Sequence, residues 1–420
     1  MQIGKTWRWP LMAVAVTGLA LVAMACGDDD DGGGDTTPAA QTTSAATEPA
    51  GTATTGGGET ITINKGDKIK VGISTTLTTD NAELGIPIRD AALLAITDYG
   101  QIQGFDVEAD PQDDQCSGPG SEAAAEKLIS DGVVAVMGPM CSGGAVAALD
   151  NYGAQDILVI SASATNGSVV KQGATNFART AWNDDTQGAE MAKYVYNTLK
   201  LTKAVTVNDQ STYGKGLMDV FKATFEELGG AVSSEQAVTV GEQDFSSVVT
   251  TITGESPEIV VFGGFIAEGA ALVRQLTDGG FEGAFLGADG IADQDFIDQA
   301  AGGAEGAYVS RGPQPTTSSY DAFLAKYQAA YGADAGTQFT EHAYDAMTVI
   351  LKAIDQVAEV DGDGNLTINK ADLIAAARAI TLEDGASGTV EFLEDGDRDI
   401  STGAVNRIDQ VTDGKLEQVQ

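Results

Sequence analysis

The chain holds one histidine, three cysteines and few aromatic residues, which fill only 6% of its 420 positions. A single imidazole excludes a multi-histidine zinc centre and chemistry that needs several histidines. Basic residues are scarce too: 23 Lys and Arg stand against 61 Asp and Glu, a formal charge of −38. That balance repels phosphate and excludes a nucleic-acid-binding surface. No P-loop and no GxGxxG follows any apolar run, which leaves nucleotide cofactors without support. Long apolar runs are missing after the first 25 residues. What is present is an ordinary hydrophobic fraction of 43%, which excludes wholesale disorder. A chain longer than about 250–300 residues is expected to divide into two or more domains.

Residues 1–26 read MQIGKTWRWPLMAVAVTGLALVAMAC. Lys5 and Arg8 precede an apolar stretch from Leu11 to Ala25. It is shorter than the about 20 residues of a membrane span, and suits a secretory signal. Small residues directly before Cys26 resemble a bacterial lipoprotein box, in which the cysteine is lipidated and becomes the mature N-terminus. An ordinary signal with an incidental cysteine is the alternative, but GDDDDGGGD cannot continue an anchor helix. We therefore expect a signal peptide over 1–25 and a lipid on Cys26. From 26 to 60, Asp, Gly, Thr, Ala and Pro dominate. Such a segment buries too little to offset its ordering entropy and is expected to be a tether. The folded body would then sit outside the cytoplasm on a lipid leash, at a bacterial cell surface or in a periplasm.

With Cys26 lipidated, Cys116 and Cys141 remain as an even pair, read as a disulfide in an oxidising compartment. A reduced buried pair is the alternative. A metal site is disfavoured because no histidine lies near either thiol.

From Thr60 the sequence settles into a strand–helix rhythm. The runs IKVGIS (69–74), VVAVMG (133–138), ILVISA (157–162), AVTVND (204–209), EIVVFGG (258–264), AFLGAD (284–289) and AYVSR (307–311) are apolar without alternation. Such runs predict parallel strands covered on both faces. Helical patterns separate or follow them at 85–98, 121–131, 143–153, 185–199, 214–229, 267–279, 319–331 and 339–359. Within the fourth, Met191, Val195 and Leu199 form one stripe at helical spacing. The order predicts an α/β fold of two doubly wound, Rossmann-like lobes with a cleft between them. One lobe is expected to comprise 66–182 and 313–387, the other 183–312 and 388–420. The Pro-flanked RGPQPTTSS (311–319) reads as a crossing.

Ligands of open α/β sheets bind at the carboxyl ends of the strands, and the informative residues stand there. After VVAVMG, Ser142 opens a helix beside Cys141; the N–H groups of a helix start favour a carboxylate. Ser163, Ala164 and Thr165 follow the next strand. Tyr213 precedes another helix, Phe265 follows EIVVFGG, and Asp289 closes AFLGAD. Together these form a small polar cup with aromatic walls and one carboxylate. That chemistry suits a zwitterion, with hydroxyl and N–H donors for its carboxylate and Asp289 for its ammonium. Plainer readings exist for each residue. Ser142 and Thr165 serve equally as caps or turn formers, Tyr213 as a packed hinge residue, and Asp289-Gly290 as a turn.

From about Lys68 to the C-terminus the chain resembles the type I periplasmic binding proteins of ABC importers, in the branched-chain amino-acid (Leu/Ile/Val) branch. The resemblance is carried by DDQCSGPGSEAAAEKLISDGVVAVMGPMCSGGAVAALDNYGAQDILVISASATN and NDQSTYGKGLMDVFKATFEELG. GEQDFSSVVTTI, EIVVFGGFIAEGAALVRQ and GTVEFLEDGD add to it. It implies two lobes joined by three crossovers and a disulfide between Cys116 and Cys141. Ser142, Ser163 (through its backbone) and Thr165 match positions that hold an α-carboxylate. Tyr213 and Phe265 match aromatic positions of the closing lobe, and Asp289 the acidic position that receives the α-ammonium. Leu84 stands where leucine-binding relatives carry a larger aromatic residue. Phe265 replaces a tyrosine, and Asp289 is one methylene shorter than the usual glutamate. The half that recognises an amino acid's backbone is retained, while the half that reads its side chain differs.

Two further motifs carry alternatives. DGDGNLTINKAD (361–372) resembles a calcium loop through Asp361, Asp363, Asn365, Asn369 and Asp372. Leu366 stands where that loop wants glycine, and a DG turn leading into a short strand is the favoured reading. LEDGDRD (393–399) reads as a hairpin turn, and His342 as a packed or capping helix residue. No serine or cysteine nucleophile lies in a recognisable elbow, so an enzyme is not expected. The expected partners are an α-amino acid or similar small solute, an ABC permease and a lipid anchor, with no cofactor. The body is expected to be a monomer, and a ligand-sensing subunit for a membrane receptor or kinase is the alternative role.

Overall fold

A computed structural model describes residues 58–332, 338–401 and 406–420, all within one folded unit. The signal segment, Cys26 and the tether up to 57 lie outside the described residues. Apolar runs without alternation become the inner strands of two sheets. In the first, Val107–Asp113, Ile69–Thr75, Ala135–Met137, Leu158–Ser161 and Phe177–Arg179 lie parallel in that order. Their side chains feed two cores. Ala135, Met137, Leu158 and Ile160 join one cluster, while Val136 and Val159 between them join another. This is why these strands have no polar face. Ala82–Tyr99 and Thr340–Val357 pack together on this lobe, and so do Gly118–Asp131 and Ser142–Gly153.

The second sheet has seven strands. Lys203–Asn208, Ala231–Ala237, Ile259–Gly263, Ala284–Gly287 and Tyr308–Arg311 are parallel; Arg407–Thr412 and Lys415–Gln418 add an antiparallel edge. A small third sheet pairs Thr60–Ile63 with Leu366–Asn369, and that strand with Glu359–Val360. Thr60, counted with the tether from sequence, is thus the first residue of a strand.

Two expectations change. The helix expected over 185–199 is α-helical over Asp184–Lys193 and continues as a π-helix over Tyr194–Thr198, with Leu199 N–H donating to Tyr194 C=O. Tyr194 and Val195 in this segment are both buried. The tail from 388, expected with the second lobe, is divided. Val390 pairs with Leu382, and Arg179 N–H at the end of the first sheet donates to Gly396 C=O at 3.0 Å. Only Arg407–Gln418 belongs to the second sheet. The first stretch is held to the first lobe by the buried Arg179–Asp397 ion pair and by Arg398 Nη1 donating to Thr180 C=O at 2.8 Å.

The 393–399 segment is a turn: Leu393 N–H donates to Asp397 C=O and Phe392 bridges Arg398. In the loop after Glu359–Val360, Asp361 Oδ1 accepts the N–H groups of Asp363 and Asn365 at 2.9 and 2.8 Å. Asn369 accepts the Asp372 N–H at 3.1 Å and caps Lys370–Ala379. This is a hairpin turn running into a short strand and a helix. Among the described residues, no three His, Cys, Asp or Glu side chains are grouped to hold a metal ion.

Candidate functional site

Strand ends of the two sheets face one another across a narrow cavity. On the first lobe, Cys141 is bonded to Cys116 with Cα atoms 5.2 Å apart, tying the start of Ser142–Gly153 to the loop after Val107–Asp113. Buried Asp114 accepts the Thr76 hydroxyl at 2.7 Å and the N–H groups of Cys116 and Met140 at 3.0 Å each. Three loops therefore converge on one carboxylate, whose pKa burial pushes up. The Ser142 hydroxyl does not cap its own helix: it accepts Asn166 N–H at 3.2 Å, joining the next strand end. Ser161 Oγ accepts Ala164 N–H at 3.0 Å and donates to Pro139 C=O at 2.7 Å. Ser163 Oγ donates to Met140 C=O at 2.9 Å. The buried Thr165 hydroxyl, beside the Asp184 carboxyl, has no well-aligned partner.

On the second lobe, Ser211 caps Thr212–Glu227 by accepting Gly214 N–H at 2.9 Å, which sets Tyr213 at the helix start. Its phenol donates to Asp289 Oδ1 at 2.6 Å and accepts Gly290 N–H at 2.9 Å. Glycine is required at 290, because a Cβ there would stand 2.4 Å from Gly264 C=O. The Phe265 ring lies 5.4 Å from that of Tyr213. Gln338 Nε2 donates to Asp289 C=O at 3.0 Å.

The cavity between these surfaces has a volume of about 30 Å³. Leu84, Ser142, Ser163, Thr165, Tyr213, Phe265 and Asp289 all line it, with Cys141 beside them. Ala164 does not: it is buried behind the wall, its N–H bound to Ser161 and its C=O to Arg179. Gly290 lines it too, and Ile88, Met140 and Phe339 do so without having been singled out from sequence. Ile88 reads there only as an apolar helix position. Phe339 sits in left-handed backbone, φ 74°, just before Thr340–Val357, a conformation that no local motif announces.

Asp184, outside the lining, is a further residue the sequence reading missed, its WNDD context suggesting only an acidic helix start. It is fully buried, and its N–H donates to Thr165 C=O at 3.0 Å. Burial and then the Asp289 charge push its carboxyl up to about 8. Burial likewise pushes Asp289 up to about 6 against the Tyr213 hydrogen bond. Burial and both carboxylates drive the Tyr213 phenol well above its ordinary value. Asn166 Nδ2 links the lobes directly, donating to Asp184 Oδ2 at 3.4 Å and to Thr212 C=O at 3.0 Å. His342, the sole imidazole of the chain, is buried with Nδ1 2.7 Å from Thr180 C=O. Burial and then Arg398 push it down to about 3, which keeps it neutral.

The arrangement offers hydroxyls on one lobe, a carboxylate on the other, and apolar walls between. Two α/β lobes holding such a cavity between facing strand ends define a two-lobed solute-binding protein. The chain belongs to the periplasmic binding protein family, which it matches over residues 68–415. It is 32% identical to the Leu/Ile/Val-binding protein BraC3 of Rhizobium johnstonii over 337 residues, 78% of this chain and 88% of that protein. Identity is 30% over 339 residues with the leucine-, isoleucine-, valine-, threonine- and alanine-binding protein of Pseudomonas aeruginosa, covering 79% and 87%. Among solved structures, the branched-chain amino acid transporter substrate-binding protein LivJ of Streptococcus pneumoniae, in complex with isoleucine, is similar. Its TM-score is 0.74 at 25% identity, covering 84% of this chain and 98% of that one.

Proposed function

We propose that the protein captures an α-amino acid outside the cytoplasm and delivers it to an ABC-type importer, held to the membrane by a lipid on Cys26. The observation that carries this reading is the opposition within one cavity of Ser142 and Thr165 on one lobe to Asp289 on the other. A carboxylate and an ammonium one carbon apart would bridge the lobes between those groups. The names of the Rhizobium and Pseudomonas relatives support an amino-acid ligand. Leu84, Ile88, Met140 and Phe339 give the side chain an apolar surround. Leu84 and Phe265, which the family resemblance sets against a larger aromatic residue and a tyrosine, favour a set of preferred amino acids different from Leu, Ile and Val alone. The role is capture and release without chemistry on the solute.

Isothermal titration against the common amino acids tests the reading, with native mass spectrometry of the protein as purified to reveal a retained solute. Binding is expected, and Asp289→Ala weakens it about 100-fold or more, because a desolvated ammonium loses its only charged partner. Full affinity in that variant removes Asp289 from the site, and silence across the whole panel removes the amino-acid ligand.

A further inference from the structure

Arg179 ends the strand Phe177–Arg179 and is completely buried. Taking a guanidinium out of water costs several kcal/mol unless it is paired and hydrogen-bonded. Here the partners are specific. Nη1 donates to Ala164 C=O at 2.8 Å and to Asn166 C=O at 2.9 Å, while Nε pairs with Asp397 Oδ1. Asp397 Oδ2 in turn accepts Asn183 Nδ2 at 3.0 Å. The carbonyl between the two, on Thr165, accepts Asp184 N–H. Three consecutive carbonyls are thus committed to groups that do not line the cavity, whereas the Thr165 side chain does. An apolar residue of Arg179's size would leave two buried carbonyls unpaired, which is strongly unfavourable.

Asp397 arrives from far along the chain, in the turn 393–398. Gly396, at φ +94°, lets that turn approach closely, since a Cβ would stand 2.4 Å from Phe177 C=O. We infer that Arg179, oriented by Asp397, is a positioning residue for ligand capture: it fixes the Ala164–Asn166 loop so that Thr165 presents its hydroxyl to the solute. The turn 393–398 is therefore a working part of a site it does not touch. This rests on the amino-acid reading above.

The test measures dissociation constants for L-alanine, L-valine, L-leucine, L-isoleucine and L-threonine well below each variant's melting onset. Asp397→Asn keeps size and shape and removes only the charge that orients Arg179; Arg179→Lys keeps the charge and loses the fork. Each is expected to weaken binding about tenfold or more while circular dichroism stays native. A double-mutant cycle of Asp397→Asn with Thr165→Val supplies the readout that a merely stabilising role would not move. The two effects are expected to be strongly non-additive, because both act through one hydroxyl. Unchanged affinities in Asp397→Asn, or additive effects in the cycle, would overturn the proposal even if melting temperatures fall. Absence of binding by the wild-type protein to all five would overturn the amino-acid reading itself, and this inference with it.

Discussion

Asp289 meets a phenol and a backbone turn, not a cation, and burial alone is enough to raise its pKa to about 6. An entering ammonium needs the ionised form, so capture is coupled to that proton. Above about 6 the carboxylate is charged and affinity is expected to be flat. As pH falls through about 6 it protonates, and each further pH unit is expected to cost up to tenfold in the dissociation constant. Titration calorimetry between pH 4.5 and 8 checks this. Asp184 lies buried outside the cavity lining, its carboxyl pushed up to about 8, and Tyr213 stays protonated across the range. Asp184→Asn is therefore expected to leave the acid limb of the profile in place, whereas a limb that vanishes in that variant would assign the proton to Asp184. The sign for folding is opposite. A carboxyl with a raised pKa holds its proton in the folded state over a range where the unfolded chain has lost it. Asp289 thus lowers stability as pH rises from about 4 towards 6, so acid favours the free protein and disfavours the complex.

At the scale of elements, the disulfide joins the loop after Val107–Asp113 to the start of Ser142–Gly153 and closes a separation of 25 residues. Replacing Cys116 and Cys141 with serine is expected to reduce unfolding free energy by about 3 kcal/mol on the chain-entropy argument. Denaturant unfolding monitored by fluorescence would show the change. The inner strands and long helices were legible in the sequence because burial on both faces leaves an unbroken apolar run. Val107–Asp113 (VEADPQD) and Ala231–Ala237 (AVSSEQA) were not, because as edge strands they are mostly half-buried or exposed and spell no such run. Ser246–Glu255 was missed because its Val, Thr and Ile are strand formers by propensity; packing of Val249 and Ile252 decides in favour of a helix. The candidate site was legible wherever it hangs from a strand end, as at Ser142, Thr165 and Asp289. Asp184, Phe339 and the Arg179–Asp397 pair escaped because tertiary contacts, separated by up to 218 residues, give them their place.

For the whole molecule, a cavity of about 30 Å³ and the Asn166–Thr212 bond mean that a solute enters only when the lobes part. Ligand is expected to draw them together by contacting both. Small-angle scattering should therefore show a smaller radius of gyration with saturating ligand than without. Asn166→Ala, which removes a bond made across the lobes, is expected to raise the radius of the free protein and narrow that difference. An equal radius in all states would argue against opening as the route of entry. The lobes are not equivalent in how the chain holds them. The strand Thr60–Ile63 is stitched to Leu366–Asn369, and Lys370, the next residue, donates from its backbone to Glu59 C=O and from Nζ to Gln155 C=O on the first lobe. If Cys26 carries the proposed lipid, a pull on the chain ahead of residue 58 would therefore reach the first lobe before the second. Such a load would be borne by a short antiparallel patch, and parting of the lobes would not have to pass through it.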